Sequence, residues 1–368
     1  MCLARSRPPR ARDVDDVGII STSAKNRQMT RLLRWIVGLV ALISIIGFAA
    51  YFALQVSPWP SALIIRWQFA KSGAQVAEAL GRHVPPGVSQ ILDVQYAGQG
   101  ADTRLDVFYP TALASSDRTL PTVIWVHGGG FVGGDKRDVA NYLKIIAAKG
   151  YTVVGTNYSV APGATYPTPI AQTMAALRFL MEHASTYHID PSRLVLAGDS
   201  AGAQIASQVT AMTINPSYAK LVGVMPSLEA KEIVGTLLNC GPYDAGMLDF
   251  KRDNAGARFL RNALWAYSGT KNFTENPVIE QISVINFLTP GFPPTYVSGG
   301  NADPLTPQGV ALADKLESLG VQVDALFFAP DRAPSLEHEY QFDLDTEAGQ
   351  EAFNRTIGFL AVVTKKGR

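Results

Sequence analysis

Residues 198–202 read Gly-Asp-Ser-Ala-Gly and lie between a short apolar stretch, residues 193–197, and a stretch that suits a helix. A G-x-S-x-G pattern between a strand and a helix is typical of a tight turn that exposes the hydroxyl of the serine, here Ser200, at the helix N-terminus. Glycines permit such a turn and the close approach of helix and strand. The alternative is an ordinary strand-to-helix turn, so the partners of a nucleophile must be found elsewhere in the chain.

Strand-like and helix-like stretches alternate from residue 91 onward, which predicts a mostly parallel, doubly wound α/β sheet. The strand-like stretches are residues 91–96, 104–109, 121–126, 151–157, 193–197, 234–240, 295–299 and 323–328, the first two forming a hairpin. The helix-like stretches are residues 141–149, 169–184, the segment after Ser200, 307–319 and 348–364. Residues 215–232 and 246–288 interrupt the alternation, and we expect them to form lids or caps over a site.

Residues 35–56 carry no charge and are almost wholly apolar. As a helix this segment would rise about 33 Å, which matches a hydrocarbon core about 30 Å thick. A buried core helix is the alternative, but apolar residues cover every face of the segment. We predict a basic tail at residues 1–34, a transmembrane anchor at 35–56, a linker and cap helix at 57–89 and an α/β catalytic domain at 90–368. Within the linker, residues 61–80 suit either a packed surface helix or a cap between membrane and site.

The charges around the apolar segment predict its orientation. The basic residues that precede it are Arg5, Arg7, Arg10, Arg12, Lys25, Arg27, Arg31 and Arg34, whereas Arg66 and Lys71 alone follow it closely. The positive-inside rule therefore places the N-terminus in the cytoplasm and the bulk of the chain outside. The alternative is a cleaved signal peptide that starts at Met29 and ends near residues 47–49, which would release the protein. We favour the anchor because the apolar run continues to residue 56.

The composition argues against several classes of partner. The net charge is +1 and 17% of the residues are charged, so we expect no nucleic-acid partner. The cysteines are Cys2 and Cys240; a bridge between them would have to cross the membrane, so we expect none. No C-x-x-C pattern occurs, and His183 and His188 have no cysteine nearby. We therefore expect no metal site.

Residues 127–130 read His-Gly-Gly-Gly and follow the apolar stretch 121–126. Such a loop can point backbone N–H groups at a developing oxyanion, because glycine lets the backbone approach a substrate without a Cβ in the way. We expect Gly129, Gly130 and Ala201 to donate, and consider Gly128 less suited. A general-base role for His127 is conceivable, but we favour a structural one in which its ring bonds the loop backbone.

The order nucleophile, acid, histidine along the chain is typical of hydrolases whose serine lies in such a strand-to-helix turn. The chain has five histidines, of which only His338 follows Ser200 and the last predicted strand. Asp303 follows the stretch 295–299 at the position where an orienting carboxylate is needed, with Asp244 as its competitor. We expect His338 to take the Ser200 proton and Asp303 to hold the imidazole. Other acids, Asp331 and Glu337, lie very near His338 in sequence.

Together these motifs make the chain resemble the hormone-sensitive-lipase-like branch of the α/β hydrolases over residues 90–365. The resemblance rests on residues 127–130, 198–202, 303–305 and His338, including Asp199 beside the serine. It implies a cofactor-free carboxylesterase for short to medium acyl chains, with an N-terminal helical cap. The chain departs from the branch at residues 157–163, Asn-Tyr-Ser-Val-Ala-Pro-Gly, where charged residues are lost, and at residues 338–340, where His-Glu-Tyr replaces the usual His-Gly-Phe.

The leading hypothesis is therefore a serine hydrolase that cleaves a small-molecule or lipid ester through an acyl-enzyme. An amidase or formamidase with the same triad is the second hypothesis. A hydrolase fold without catalysis, used for binding a partner, is the third, and it is disfavoured because no part of the machinery is missing from the sequence.

Overall fold

The computed structural model describes residues 16–365, with side chains from residue 25 onward, and divides into two units. The first unit, Met1–Ser57, contains helix α1 (Asp16–Val56). Its stretch Lys25–Val56 is long and apolar enough to cross a membrane, and its most apolar window is not buried. The first part of the predicted basic tail, with Cys2, lies outside the described residues. The predicted boundaries of tail, anchor and linker stay predictions.

The second unit, Pro58–Arg368, begins with helix α2 (Trp59–Gly81). Its described residues form an eight-stranded sheet. The strands are β1 (Val88–Gln95), β2 (Arg104–Pro110), β3 (Leu120–Val126), β4 (Thr152–Thr156), β5 (Ile189–Asp199), β6 (Ile233–Asn239), β7 (Thr295–Gly299) and β8 (Val323–Phe327). Their order across the sheet is β1-β2-β4-β3-β5-β6-β7-β8. β2 pairs antiparallel with β1 and β4, and all other pairs are parallel. The predicted doubly wound α/β sheet is confirmed.

Helices flank this sheet on both faces. They are α3 (Lys136–Ala147), α4 (Thr168–Glu182), α5 (Ala201–Ile214), α6 (Pro216–Val222), α7 (Ala255–Ser268), α8 (Val278–Ile282), α9 (Thr306–Ser318) and α10 (Glu347–Val363). Successive residues of β3 belong to different cores: Ile124 and Val126 to one, Val123 and Trp125 to the other. Burial on both faces explains why the parallel strands read as continuous apolar runs.

Helix α3 begins five residues before the predicted start at residue 141. The side chain of Asp135 accepts the Arg137 N–H at 2.9 Å, and the side chain of Asp138 accepts the Asp135 N–H at 2.9 Å. This reciprocal capping box satisfies donors of the first turn that would otherwise be unpaired. The prediction was wrong because it followed the apolar periodicity, whereas the polar cap sets where the helix begins.

The parallel register aligns the strand ends that carry the predicted motifs. Val126, at the end of β3, pairs with Gly198 near the end of β5, and Asp199 pairs with Asn239 at the end of β6. The loops after these strands therefore emerge side by side at the carboxyl edge of the sheet. This edge is where open α/β sheets bind their ligands.

Candidate active site

Ser200 lies in a strained turn between β5 and α5. Its backbone has φ 50° and ψ −123°, a left-handed φ that non-glycine residues rarely adopt. The turn needs its flanking glycines, because a Cβ on Gly202 would lie 2.0 Å from the carbonyl oxygen of Val126. A Cβ on Gly198 would lie 2.5 Å from the carbonyl carbon of Gly202. The tight packing presents the serine hydroxyl at the N-terminus of α5.

The three side chains expected to cooperate lie in hydrogen-bond contact. His338, in the loop after β8, places Nε2 2.9 Å from Ser200 Oγ. Its Nδ1 lies 2.9 Å from Oδ2 of Asp303, in the loop after β7. The other carboxylate oxygen of Asp303 accepts the Leu305 N–H at 2.8 Å, which fixes the acid. The competing acid, Asp244, instead accepts the N–H two residues further along its own loop.

The pKa of His338 is raised from its ordinary value to about 9. Burial by itself lowers this pKa, because it disfavours the imidazolium. The hydrogen bond to Asp303 and the nearby charge of Glu339 act in the opposite direction and outweigh burial. The site therefore stabilises the protonated ring that forms when the histidine accepts a proton.

The glycine loop after β3 adopts backbone conformations that suit glycine. Gly129 has φ 114° and Gly130 has φ 59°. A Cβ on Gly129 would lie 2.1 Å from a backbone oxygen, so no larger residue fits there. Gly128 differs from its neighbours, since its N–H donates to Asp199 Oδ2 at 2.8 Å. The N–H that we expect to be less suited to an oxyanion is therefore already bonded to a carboxyl group.

The side chain of His127 contacts the same loop. Its buried ring contacts the Gly128 carbonyl oxygen through Nδ1 at 2.7 Å and stacks on Tyr158 with ring centroids 4.5 Å apart. Burial is the main influence on the ring and lowers its pKa. The ring lies against the backbone of the loop, as expected for a structural role.

Ser200 lies between a large cavity of about 640 Å³ and a small cavity of about 50 Å³. Helix α2 contributes Phe69 and Val76 to the wall of the large cavity, and α7 contributes Phe259 and Leu260. The small cavity is lined by apolar side chains, among them Phe131 and Leu264. The expectation that residues 246–288 cap the site agrees with this lining. Residues 215–232 line neither cavity, so the expectation that they form a lid is wrong; α6 instead packs on α5, away from the strand ends.

Sequence reasoning missed a contact between two carboxyl groups at the site. Glu339 follows His338 and interacts with Asp199, the residue before the serine. Burial and this neighbouring carboxylate raise the pKa of Asp199 well above its ordinary value. The departure from His-Gly-Phe at residues 338–340 was the available indication that Glu339 is unusual. The sequence could not show that the side chains of Glu339 and Asp199 contact each other.

One group of metal-ligand side-chain types lies close together among the described residues. The ligand atoms of Cys240, Asp303 and His338 all lie within 4.8 Å of one another. The carboxylate and the imidazole of this group already bond to each other, and the second imidazole nitrogen contacts the serine. Cys240 is a buried free thiol whose pKa is raised by burial, so its protonated form is favoured. The donor set thus fits proton transfer between Ser200 and His338, with Asp303 holding the imidazole in place.

The family described as the alpha/beta hydrolase fold matches residues 123–330, which is 208 of the 368 residues. This match includes the glycine loop at residues 127–130, the serine turn and the Asp303 loop, and it ends before His338.

Known esterases are similar to the chain over most of its length. Carboxylesterase NlhH of Mycobacterium tuberculosis is 29% identical over 304 residues, which cover 79% of this chain and 90% of that protein. An esterase of Gibberella moniliformis is 26% identical over 260 residues, 68% of this chain and 77% of that protein. Among solved structures, an inhibited form of esterase B from Lactobacillus rhamnosis has a TM-score of 0.68 at 23% identity, covering 82% of this chain and 96% of that one.

Proposed function

The chain belongs to the alpha/beta hydrolase fold family, and from this premise we propose that it is a serine carboxylesterase acting on esters of short to medium acyl chains. The observation that carries the proposal is the continuous hydrogen-bonded chain from Ser200 Oγ through His338 to Asp303, with both contacts at 2.9 Å. Named esterases among the relatives support the same reaction class.

Each side chain of the triad has one role in the proposed reaction. Ser200 Oγ attacks the ester carbon while His338 Nε2 takes its proton. The tetrahedral intermediate collapses, the bond to the alcohol oxygen breaks, and the alcohol leaves with the proton from His338. Water, deprotonated by the same imidazole, then attacks the acyl-enzyme and releases the acid and the free serine. Asp303 keeps the imidazole in the required tautomer and stabilises the imidazolium.

The negative oxygen of each tetrahedral intermediate needs hydrogen-bond donors. We assign this role to the N–H groups of Gly129, Gly130 and Ala201. Gly129 and Gly130 line the large cavity, and Gly130 and Ala201 line the small one, so these three residues border the space around Ser200. Backbone donors held in place before the reaction stabilise charge without reorganising, which is a large part of catalysis in such sites.

The sizes of the two cavities support an assignment of the acyl half of the ester to one cavity and of the alcohol half to the other. A cavity of about 50 Å³ beside Ser200 suits a short acyl group, whereas the cavity of about 640 Å³ suits the alcohol half. A series of p-nitrophenyl esters from acetate to laurate tests this assignment. We expect kcat/KM to be highest for the shortest chains and to fall as the acyl group outgrows the small cavity.

Labelling of the nucleophile tests the reaction class itself. We expect a fluorophosphonate to modify Ser200 covalently, and Ser200→Ala to lose labelling and roughly 10⁴–10⁶-fold in kcat for p-nitrophenyl acetate. Ser318→Ala, which changes an exposed serine at the end of α9, should keep both. Full hydrolysis by folded Ser200→Ala would overturn the proposal.

The proposed location is a membrane, with residues 35–56 as a single anchor, the N-terminus in the cytoplasm and the catalytic unit outside. Support comes from the exposed apolar helix Lys25–Val56 and from the basic residues that precede the anchor. The full chain should sediment with membranes, and protease added to the outer side should digest the catalytic unit. Recovery of a soluble protein cut near residue 49 would instead establish a signal peptide.

A further inference from the structure

Glu339 lies beside the position of the leaving group. Its Oε1 is 3.8 Å from His338 Nε2, the atom that donates a proton to the departing alcohol in the proposed reaction. The side chain is one-third exposed and lines the large cavity, which we assign to the alcohol half. Substituents of the alcohol must therefore pass close to this carboxylate.

The backbone at Glu339 is held in a conformation that suits glycine. Its φ is 64° and its ψ is 25°, in the left-handed region, and its carbonyl oxygen accepts the Phe342 N–H at 3.1 Å. A side chain in this region costs on the order of 1 kcal/mol or more, and such strain clusters at functional sites. A glutamate that persists there points to a use for its side chain.

Among the described residues that line the large cavity, the positive group beside Glu339 is the protonated His338 ring, 3.8 Å away, and this ring is neutral when it accepts the Ser200 proton. Arg252 is the one lysine or arginine among the described residues that line the large cavity, and it pairs with Asp249 at 2.9 Å. Asp138 adds a further carboxyl group to the lining. On its inner side Glu339 meets Asp199, whose pKa is raised well above its ordinary value by burial and by the Glu339 carboxylate.

Aromatic rings complete the same lining. Phe69 and Phe259 meet edge to face with centroids 5.9 Å apart, and Phe342 borders the cavity as well. The face of an aromatic ring attracts organic cations, particularly where water is excluded. A carboxylate alone would accept hydrogen bonds from hydroxyl groups as readily as it would attract a cation. The combination with phenyl rings favours the cation.

We propose that Glu339 is a specificity-determining residue that selects esters whose alcohol half carries an organic cation, an amino-alcohol ester being the substrate class. This inference rests on the proposed esterase function and extends it. The ammonium group lies against Glu339 and the phenyl rings in the large cavity, while the acyl group occupies the small cavity.

The test compares acetylcholine with 3,3-dimethylbutyl acetate, in which carbon replaces the charged nitrogen. The measured quantity is the ratio of kcat/KM for the cationic ester to that for the neutral ester, using the full-length protein. Comparing this ratio between variants cancels the different leaving-group basicity of the two alcohols. We expect Glu339→Gln to lower the ratio by roughly threefold to tenfold, and the wild-type preference to shrink as salt is added.

Glu337→Gln is the matched control, because it makes the same substitution at an exposed acid two residues away that does not line the cavity. It should leave the ratio unchanged. Glu339→Gly is the second variant; glycine adopts the left-handed backbone readily, so this protein should fold, and its ratio should fall as in Glu339→Gln.

Three outcomes separate the proposals. An unchanged ratio in both Glu339 variants overturns the inference, because Glu339 then acts through His338 alone and affects both esters equally. A wild type that cleaves both esters but whose preference is insensitive to salt also overturns it, while the esterase proposal stands. Absence of hydrolysis together with absence of fluorophosphonate labelling at Ser200 is the failure of the proposed function.

Discussion

The Asp199 side chain accepts the Gly128 N–H at 2.8 Å and thereby ties the turn of the nucleophile to the glycine loop. Its second oxygen accepts the indole N–H of buried Trp125 at 2.7 Å. The residue before Ser200 thus holds the first glycine of the loop, which leaves the following glycines to face the substrate. The two halves of the proposed oxyanion site are positioned by one carboxyl group.

Asp199→Asn should weaken both stability and catalysis. An amide has one accepting oxygen, so either Gly128 or Trp125 would face an NH₂ group and lose its buried acceptor. We expect a loss of about 1–3 kcal/mol in the free energy of unfolding and a lower kcat for p-nitrophenyl acetate. Chemical denaturation and steady-state kinetics measure these effects. The same change at exposed Asp253 should alter neither, and an unaffected Asp199→Asn would contradict the role given to this contact.

Two substitutions of glycine by alanine should have opposite effects on the melting temperature. Gly202→Ala places a Cβ 2.0 Å from the Val126 carbonyl oxygen, so α5 must move away from the sheet and displace Ser200. We expect a protein with strongly reduced activity and a lower melting temperature. Gly358→Ala, on the exposed side of α10, meets nothing within 4 Å and should stabilise by about 0.5–1 kcal/mol. Thermal unfolding of the pair provides the comparison, and equal melting temperatures would contradict it.

Activity should increase toward alkaline pH. His338 must be neutral to accept the Ser200 proton, and its raised pKa of about 9 keeps it protonated at lower pH. The kcat/KM profile of the free enzyme should therefore rise with pH and level off above about pH 9. Because the Glu339 charge favours the imidazolium, Glu339→Gln should move this rise to lower pH. A profile already level at neutral pH in the wild type would refute the assignment.

Removing a buried cation should destabilise the edge of the sheet near the hairpin. Lys136 Nζ lies 2.6 Å from Asp106 Oδ1 and 2.9 Å from Asp93 Oδ1, and the Lys136 and Asp106 side chains are each only 3% exposed. Lys136→Met leaves the Asp106 carboxylate buried without its partner, which should cost about 3–5 kcal/mol. Lys231→Met, which breaks an exposed pair with Glu229, should leave the denaturation midpoint unchanged. Similar midpoints for the two variants would argue against a structural role of the buried pair.

Local sequence patterns were sufficient for most of the fold. The predicted strand at residues 295–299 coincides with β7, and the stretch 307–319 differs from α9 by one residue at each end. Burial on both faces makes these strands apolar throughout, and the following helices carry their own periodicity. β5 extends four residues further back than predicted, because polar residues near its start were assigned to a loop.

The order of the motifs along the chain was sufficient to nominate Ser200, Asp303 and His338, since each loop follows an identifiable strand. The distances among them depend on the parallel sheet, which brings loops more than 100 residues apart to one edge. The amino-acid sequence does not show directly which distant residues lie close together, and the loop that contains His338 has only a short 3-10 helix, Tyr340–Phe342, to indicate its position.

The sequence by itself determined the elements, their alternation and the chemistry available, because these follow from local propensity and residue type. Only the tertiary structure decided that Asp199 holds Gly128 and that the Glu339 carboxylate lies beside Asp199 and His338. It also decided that residues 215–232 lie away from the active site. Those facts depend on which surfaces pack together, and packing is set by contacts between residues distant in sequence.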